Sequence, residues 1–148
     1  MNQPLAKAAV DRCRLIELDK HHHANGNLTV VENQAQIPFD IKRVYYLYDI
    51  PGGESRGGHA HRTLQQLLVA ISGSFDVVLD DGTHQRRITL ARPYQGLLIV
   101  PGIWRVLENF SSGSVCLCLA SEHYTEDDYI REYPDFLQYC KTHTNSNS

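Results

Sequence analysis

The chain has 148 residues and a formal net charge of −3. This length suits one domain with a sizeable core, and we assign residues 1–148 to a single domain. A broad nucleic-acid surface is not expected, because phosphate binding over a large footprint needs clustered Lys and Arg. Neither a membrane span nor a secretory signal is expected, since the apolar runs are short. We predict a cytoplasmic protein whose four cysteines are reduced thiols.

The first third of the chain predicts short strands joined by turns. Residues 13–18 are predicted to form an edge strand. His21-His22-His23 is predicted to be a solvated loop, since three consecutive side chains cannot share one face of a strand. Asn25-Gly26 is a turn signal, and residues 28–32 are predicted to complete a hairpin.

The segment 42–49 predicts a strand rich in aromatic and β-branched residues. Strand alternation puts one set of side chains on a single face: Arg43, Tyr45 and Leu47. The other face carries Val44, Tyr46 and Tyr48. We expect at least two of the three tyrosines to pack in the core or an interface, and one phenol to reach a pocket together with Arg43.

The stretch from Gly53 to Gly73 carries the most informative pattern. His59 and His61 are two residues apart, so on a strand both imidazoles face the same space. The apolar run from Leu64 to Ile71 is predicted to fill a sheet core, and Ser72-Gly73 is predicted to close it as a turn.

The rest of the chain predicts more short strands and then helix. Strands are predicted at 75–79, 86–90, 97–100, 106–110 and 115–120, which favours an all-β antiparallel sandwich or barrel. Thr125 to Asp128 resembles a helix N-terminus, and the apolar residues from Tyr129 to Cys140 predict two short helices divided at Pro134. Residues 142–148 are predicted to be a frayed tail.

The histidine segment resembles the first signature of the cupin β-barrels, and residues 101–109 resemble the second. Cupins commonly bind metal through two histidines, a glutamate and a further histidine. Here the glutamate position holds Gln65 or Gln66, and the further histidine position holds Arg105. Arginine offers no lone pair, and an amide is a poor ligand for the metals that imidazole prefers. We therefore expect no metal and no cofactor.

A metal-free histidine pair predicts acid–base chemistry. Imidazole titrates near neutral pH and suits proton transfer at carbon beside a carbonyl. Arg56, with Arg43 and Arg105, would supply donors for an anionic substrate. These residue types indicate proton transfer on a sugar or keto acid that carries phosphate groups.

Five strings together resemble the dTDP-4-keto-6-deoxyhexose 3,4-ketoisomerases, the WxcM-like or FdtA/QdtA-like cupins: IKRVYYLYD, ESRGGHAHRTLQQLLVAISGS, VVLDDG, PGIWR and DDYIREY. The likeness runs from about Gly26 to about Phe136. It implies a cupin jelly roll and an enzyme that moves the carbonyl of dTDP-4-keto-6-deoxyglucose from C4 to C3 without metal. It also implies a product that feeds amination at C3, for 3-amino-3,6-dideoxyhexoses of surface polysaccharides such as O-antigen.

The resemblance assigns roles to individual residues. His59 and His61 become the acid–base pair. Tyr45, with Arg43 on its face, matches the strand that lines the sugar pocket. Arg56 is expected to contact the diphosphate or the developing oxyanion.

Two further residues bear on the product. Some members of the family carry histidine at the position of Arg105, and others carry Arg or Tyr near Asn25. Because Arg105 removes one proton donor, we expect the gluco product, and we include Asn25 and Arg105 among the substrate-binding residues. The family also implies a homodimer in which residues 1–25 are exchanged between subunits.

Three alternatives remain open at this point. The first is an RmlC-type epimerase, a related metal-free cupin that exchanges protons at C3 and C5. The second is a non-catalytic cupin that binds a nucleotide sugar. The third is a metal-dependent dioxygenase.

Overall fold

The computed structural model describes residues 9–144 of the chain. Within that range the chain forms twelve strands, one α-helix and two 3₁₀ helices, at Ala9–Arg12 and Glu126–Asp128. The strands are β1 (Arg14–Glu17), β2 (Lys20–His23), β3 (Gly26–Thr29), β4 (Arg43–Leu47), β5 (Arg56–His61), β6 (Gln66–Ser72), β7 (Phe75–Asp80), β8 (Gln85–Leu90), β9 (Gln95–Ile99), β10 (Trp104–Glu108), β11 (Val115–Ala120) and β12 (Tyr129–Ile130). The helix α1 spans Tyr133–Thr144.

The strands build two five-stranded antiparallel sheets. The first sheet has the order β1-β9-β6-β11-β4 and the second has the order β12-β5-β10-β7-β8. The strands β2 and β3 form a separate hairpin. From β4 to β12, successive strands alternate between the two sheets except at the β7–β8 hairpin, as in a jelly roll, so the predicted all-β antiparallel fold is confirmed.

The main core lies between the two sheets. Phe75, Val77 and Leu79 of β7 are fully buried and pack with Leu68 and other residues of the first sheet. Burying each such side chain contributes about 1.5–3 kcal/mol. Polar residues interrupt this apolar interior at one place, where β5, β6 and β10 carry the histidines, Gln66 and Arg105.

The outer face of the first sheet is only partly covered. Leu18, Ile37 and Phe39 pack over Leu67 and Val69 on that face. Beyond this cover, the following side chains are exposed: Val44, Tyr46, Tyr48 and Ile71. Tyr46 and Tyr48 face solvent in the single chain, so they do not pack in its core, and their packing in an interface stays a prediction.

The N-terminal hairpin differs from its predicted form. The three histidines 21–23 belong to strand β2, which pairs with β3, so the predicted loop is wrong. Their exposure is as predicted, because both faces of this two-stranded ribbon are open to solvent. Strand β1 pairs with β9 of the same chain.

The C-terminal segment also differs from its prediction. Tyr129 and Ile130 form a strand paired with β5, so they do not belong to a helix. Pro134 lies in the first turn of α1, where its missing N–H breaks no helical hydrogen bond. One α-helix therefore replaces the two predicted. Thr142 belongs to that helix, and residues 145–148 of the predicted tail lie outside the described residues.

All four cysteines are free, as predicted. In the described part of the chain, no helix is long and apolar enough to cross a membrane.

Candidate active site

A cavity of about 330 Å³ lies where the polar residues interrupt the core. Both sheets contribute to its wall. The lining residues are Arg43, Tyr45, Leu47, Arg56, His59, Gln66, Leu68, Arg105, Leu107, Cys118, Tyr129 and Arg131. Four of the lining residues are arginines and three are leucines, so the cavity combines apolar surface with the positive charge that an anionic small molecule needs.

Two histidines meet beside this cavity. Strand alternation brings His59 and His61 to one side of β5, and their Nε2 atoms lie 3.0 Å apart. His59 is part-buried and lines the cavity, whereas His61 lies behind it and is fully buried. A local distortion shapes the strand here, because Gly57 adopts a φ of 84° and the pairing of β5 with β10 shifts register between Arg105 and Leu107.

A buried carboxylate continues the chain of hydrogen bonds. Asp128 Oδ2 lies 2.9 Å from Nδ1 of His61, and Asp128 is only 6% exposed. Its second oxygen, Oδ1, accepts hydrogen bonds from the backbone N–H of Thr63 at 2.7 Å and from the hydroxyl of Thr63 at 2.9 Å. Because the carboxylate accepts from Nδ1–H, it leaves Nε2 of His61 as an acceptor towards His59.

Burial and nearby positive charge keep the histidine pair neutral. Burial, followed by the nearby positive charge of Arg105, lowers the pKa of His59 to about 2 and that of His61 to about 3. Asp128 opposes the shift at His61 only in part. Burial alone would raise the pKa of Asp128, but the hydrogen bonds from Thr63 and His61 lower it overall. The site therefore offers unprotonated imidazole beside an ionised carboxylate.

A second polar chain runs across the cavity floor. Arg105 is fully buried and pairs across the strands with His59. Its Nη1 donates to Oε1 of Gln66, and Nε2 of Gln66 donates to the hydroxyl of Tyr45 at 3.0 Å. Among the described residues, Nη2 of Arg105 and Nε of Arg43 are buried without a hydrogen-bond partner. These two N–H groups are free to bind oxygen atoms of a ligand.

Cations and aromatic rings surround the cavity mouth. Arg131 lies over the ring of Tyr129, 4.2 Å from its centroid, and forms a bidentate ion pair with Glu126. The guanidinium of Arg43 contacts the rings of Tyr45 and Tyr124. Stacked guanidinium and phenol groups of this kind suit a phosphorylated ligand with a flat base.

The family model described as WxcM-like, C-terminal matches residues 11–141. The chain belongs to this family. It is 45% identical over 126 residues to TDP-4-oxo-6-deoxy-alpha-D-glucose-3,4-oxoisomerase of Aneurinibacillus thermoaerophilus, covering 85% of this chain and 91% of the relative. The predicted family and the predicted enzyme class, an isomerase, are both confirmed.

Two solved structures of the family match closely. QdtA, a sugar 3,4-ketoisomerase from Thermoanaerobacterium thermosaccharolyticum in complex with TDP, is 39% identical with a TM-score of 0.87, covering 88% of this chain and 96% of that one. The TDP-quinovose 3,4-ketoisomerase WlaRB of Campylobacter jejuni is 43% identical with a TM-score of 0.82, covering 85% and 97%. A dTDP-4-dehydrorhamnose 3,5-epimerase of Bacillus anthracis, at 16% identity and a TM-score of 0.71, shares the cupin fold alone.

Most of the residues that the family resemblance singled out meet at the cavity. Its wall includes Arg43, Tyr45, Arg56, His59 and Arg105, and His61 lies directly behind. Asn25 is the exception, because it is exposed in the turn between β2 and β3 and does not line the cavity of its own chain.

Several residues of the site were missed from the sequence: Asp128, Cys118, Tyr129 and Arg131. Three of them belong to the string DDYIREY, which was among the strings that indicated the family. The presence of this string among the family strings was a signal that its residues belong to the site. No local pattern, however, shows that β12 pairs with β5.

The donor set does not fit a transition metal. Within residues 9–144, no group of three or more His, Cys, Asp or Glu side chains is placed to hold an ion. The two histidines bond to each other, and the guanidinium of Arg105 faces them where a further ligand would be needed. A buried guanidinium repels a cation and offers it no lone pair.

Proposed function

We propose that this enzyme is a sugar 3,4-ketoisomerase that acts on TDP-4-keto-6-deoxyglucose. The observation that carries the proposal is the hydrogen-bonded chain Asp128–His61–His59, which ends at a cationic cavity. The name of the Aneurinibacillus relative supports the substrate, and the TDP complex of the Thermoanaerobacterium enzyme supports the nucleotide. A variant of that enzyme with one histidine changed to asparagine is in complex with TDP-4-keto-6-deoxyglucose itself.

The reaction needs only proton movement between neighbouring carbons. A neutral imidazole removes the proton from C3, the C3–H electron pair forms a C3=C4 double bond, and the C4 carbonyl becomes an oxyanion. The C3 hydroxyl then loses its proton and its O–H electron pair forms C3=O. The electron pair of the C3=C4 bond takes up a proton at C4, and the C4 oxyanion takes up the second proton to become a hydroxyl. Reactant and product are isomers, so no oxidant or cofactor is consumed.

We assign the contact with the sugar to His59 and the support to His61 and Asp128. His59 lines the cavity, whereas His61 is fully buried behind it. As His59 takes up a proton, its bond to His61 and the negative charge of Asp128 stabilise the imidazolium. The diphosphate of the substrate partly offsets the positive charges that lower the pKa of His59 in the free enzyme, which makes it a stronger base once the substrate is bound.

The cationic groups would hold the substrate and the developing charge. Arg56 and Arg131 line the cavity and are exposed, so they would bind the diphosphate, and the unpartnered N–H groups of Arg43 and Arg105 would donate to oxygen atoms of the sugar. A preorganised donor of this kind lowers the barrier by about 3–4 kcal/mol when it is aimed at an oxyanion.

The expected product has the gluco configuration at C4. The side chain at position 105 is a guanidinium, which does not release its proton, so it leaves the histidine pair as the proton source on its side. The relative from Campylobacter jejuni is named for TDP-quinovose, whose sugar is 6-deoxyglucose. A 3-keto product of this kind is suited to an aminotransferase that installs nitrogen at C3, as in the aminosugars of surface polysaccharides.

The decisive experiment follows TDP-4-keto-6-deoxyglucose by NMR in deuterated water. The proposal expects a 3-keto product with deuterium at C4 in the gluco configuration. The His59→Asn and His61→Asn variants should lose turnover and still bind TDP. Exchange at C3 and C5 without carbonyl migration would instead identify an epimerase. Unchanged turnover in both variants would overturn the assignment of the histidines, and TDP binding without any turnover of the wild type would indicate a binding protein.

We also propose that the enzyme acts as a cytoplasmic homodimer. The support is the uncovered face of the first sheet, where Val44 and Tyr46 are 55% and 60% exposed. Exchange of residues 1–25 between subunits would give Asn25 a route to a partner's cavity. Light scattering should give twice the mass of one chain for the wild type and for Gln138→Asp on α1, and a lower mass for Tyr46→Asp. A monomeric wild type would overturn the dimer.

A further inference from the structure

The polar chain formed by Arg105, Gln66 and Tyr45 has a fixed direction. A guanidinium only donates hydrogen bonds, so the atom of Gln66 that faces Arg105 must be its carbonyl oxygen. The other end of the amide, Nε2, then faces Tyr45 and donates to its hydroxyl oxygen at 3.0 Å. The tyrosine oxygen is therefore an acceptor on this side, and its own proton must point elsewhere.

The surroundings leave the cavity as the place for that proton. Tyr45 lines the cavity, and its hydroxyl is also within hydrogen-bond reach of the thiol of Cys118, which is opposite it on β11. Sulfur is a weak acceptor that a substrate oxygen readily replaces. Burial is the largest cause that raises the pKa of Tyr45, so the phenol keeps its proton. Gln66 is 2% exposed and Arg105 is 1% exposed, so the hydrogen bond between them is shielded from bulk water.

We propose that Gln66 is a positioning residue that makes Tyr45 a hydrogen-bond donor to the carbonyl oxygen of the bound keto sugar. The inference rests on the proposed function, because the acceptor is the oxygen at which the enediolate charge develops. Arg105 orients the amide of Gln66, and Gln66 in turn orients the hydroxyl proton of Tyr45. The hydrogen bond from Tyr45 then strengthens as charge forms on the substrate oxygen.

The sharpest test reverses the direction with little change of shape. In Gln66→Glu, a carboxylate accepts from Arg105 and also from the hydroxyl of Tyr45, which turns the phenol proton away from the substrate. We expect kcat to fall about 100-fold, the effect of removing one oxyanion donor, while the Kd for TDP stays within about twofold. Gln65→Glu is the matched control, because Gln65 is the sequence neighbour and does not line the cavity. A chelator in every assay prevents the new carboxylate from acting with metal.

Two further variants separate orientation from added charge. Gln66→Met removes both bonds without reversing the phenol, so its loss of kcat should lie between those of the wild type and Gln66→Glu. The Tyr45→Phe variant has no hydroxyl proton to reorient, so adding Gln66→Glu to it should lower kcat little further. A charge effect on the histidines would persist in that background. If Gln66→Glu does not fold, Gln66→Met and Tyr45→Phe still test the pair. Their losses of kcat should not be additive in the double variant, because both changes remove the same hydrogen bond.

The outcomes distinguish this inference from the proposed function. A wild type that does not isomerise TDP-4-keto-6-deoxyglucose removes the proposed function. An active wild type whose Gln66→Glu variant keeps its kcat removes the inference alone. Equal losses in Gln66→Met and Gln66→Glu also overturn it, because the direction of the bond would then have no effect.

Discussion

The carboxylate of Asp128 lies 2.9 Å from the imidazole of His61, although 67 residues separate them in the chain. The pairing of β12 with β5 brings them together, since Asp128 immediately precedes β12 and Tyr129 pairs with His61. In the free enzyme this bond sets the tautomer of His61, and through His61 it sets which nitrogen of His59 carries the proton.

The first prediction changes this carboxylate to its amide. Asp128→Asn keeps the size of the side chain but presents an N–H group or a neutral oxygen to His61, so the preferred tautomer and the support for the imidazolium are lost. We expect kcat to fall about 10- to 100-fold, with a smaller effect on KM. The control is Asp127→Asn, because Asp127 is its exposed neighbour. Steady-state kinetics checks the split, and equal kcat values for the two variants would contradict the assigned role.

The second prediction concerns the cationic mouth of the cavity. Arg56 lines the cavity and is exposed, so its guanidinium is available to a diphosphate. Arg56→Ala should raise the Kd for TDP about tenfold, the effect of one charged hydrogen bond. Titration calorimetry at low and high salt should show that the wild type has the larger salt dependence.

The matched control for this prediction is Arg62→Ala. Arg62 is also exposed, but it contacts the backbone of Asp127 and the ring of Tyr139 and does not line the cavity. An equal weakening of TDP binding in both variants would indicate a general charge effect and would remove Arg56 from the site.

The third prediction tests the glycine that ends the histidine segment. Gly73 has a φ of 67°, and a Cβ atom there would lie 2.5 Å from Oγ of Ser111 and 2.9 Å from Cα of Ser114. Gly113 has a similar φ of 72° but open space around it. Gly113→Ala should lower the free energy of unfolding by about 1–2 kcal/mol, because alanine disfavours the left-handed backbone conformation. Gly73→Ala should cost clearly more, because the backbone of Ser114 must also move. Urea denaturation measures the free energy of unfolding of both variants. Equal losses would contradict the prediction, because the turn would then accommodate the Cβ atom of residue 73 without penalty.

The sequence was informative where the pattern is local. Alternation along β5 placed His59 and His61 on one side, and alternation along β4 placed Arg43 and Tyr45 together. Both follow from the period of two in a strand, which needs no knowledge of the rest of the fold.

The sequence was uninformative where a contact depends on distant pairing. Tyr129 and Ile130 fit the apolar stripe of a helix, yet they form a strand because the edge of β5 is free to pair with them. Gln66 was recognised only as a missing metal ligand. Its bonds to Arg105 and Tyr45 join three strands that are far apart in the chain, so no local pattern predicts them.

The last prediction uses the buried histidines to set the acid stability of the fold. Burial and Arg105 lower the pKa values of His59 and His61 in the folded protein well below the ordinary value of 6.5. Below that value the unfolded chain binds protons that the folded chain does not. The stability contributed by the neutral pair is therefore complete above about pH 6.5 and is lost as the pH falls below it. Each histidine should lower the free energy of unfolding by about 1.4 kcal/mol per pH unit in the acidic part of this range.

Urea denaturation between about pH 5 and pH 7 tests this, since carboxylates with ordinary or lowered pKa values titrate mostly below that window. His59→Asn should reduce the change in the free energy of unfolding by about 1.4 kcal/mol per pH unit, the contribution of one proton, because asparagine does not titrate. His21→Asn, which removes an exposed histidine of β2 that does not line the cavity, is the control variant. A wild-type slope that persists in His59→Asn and in His61→Asn would mean that the pair is protonated in the folded enzyme, and the neutral base on which the proposed reaction depends would be lost with it.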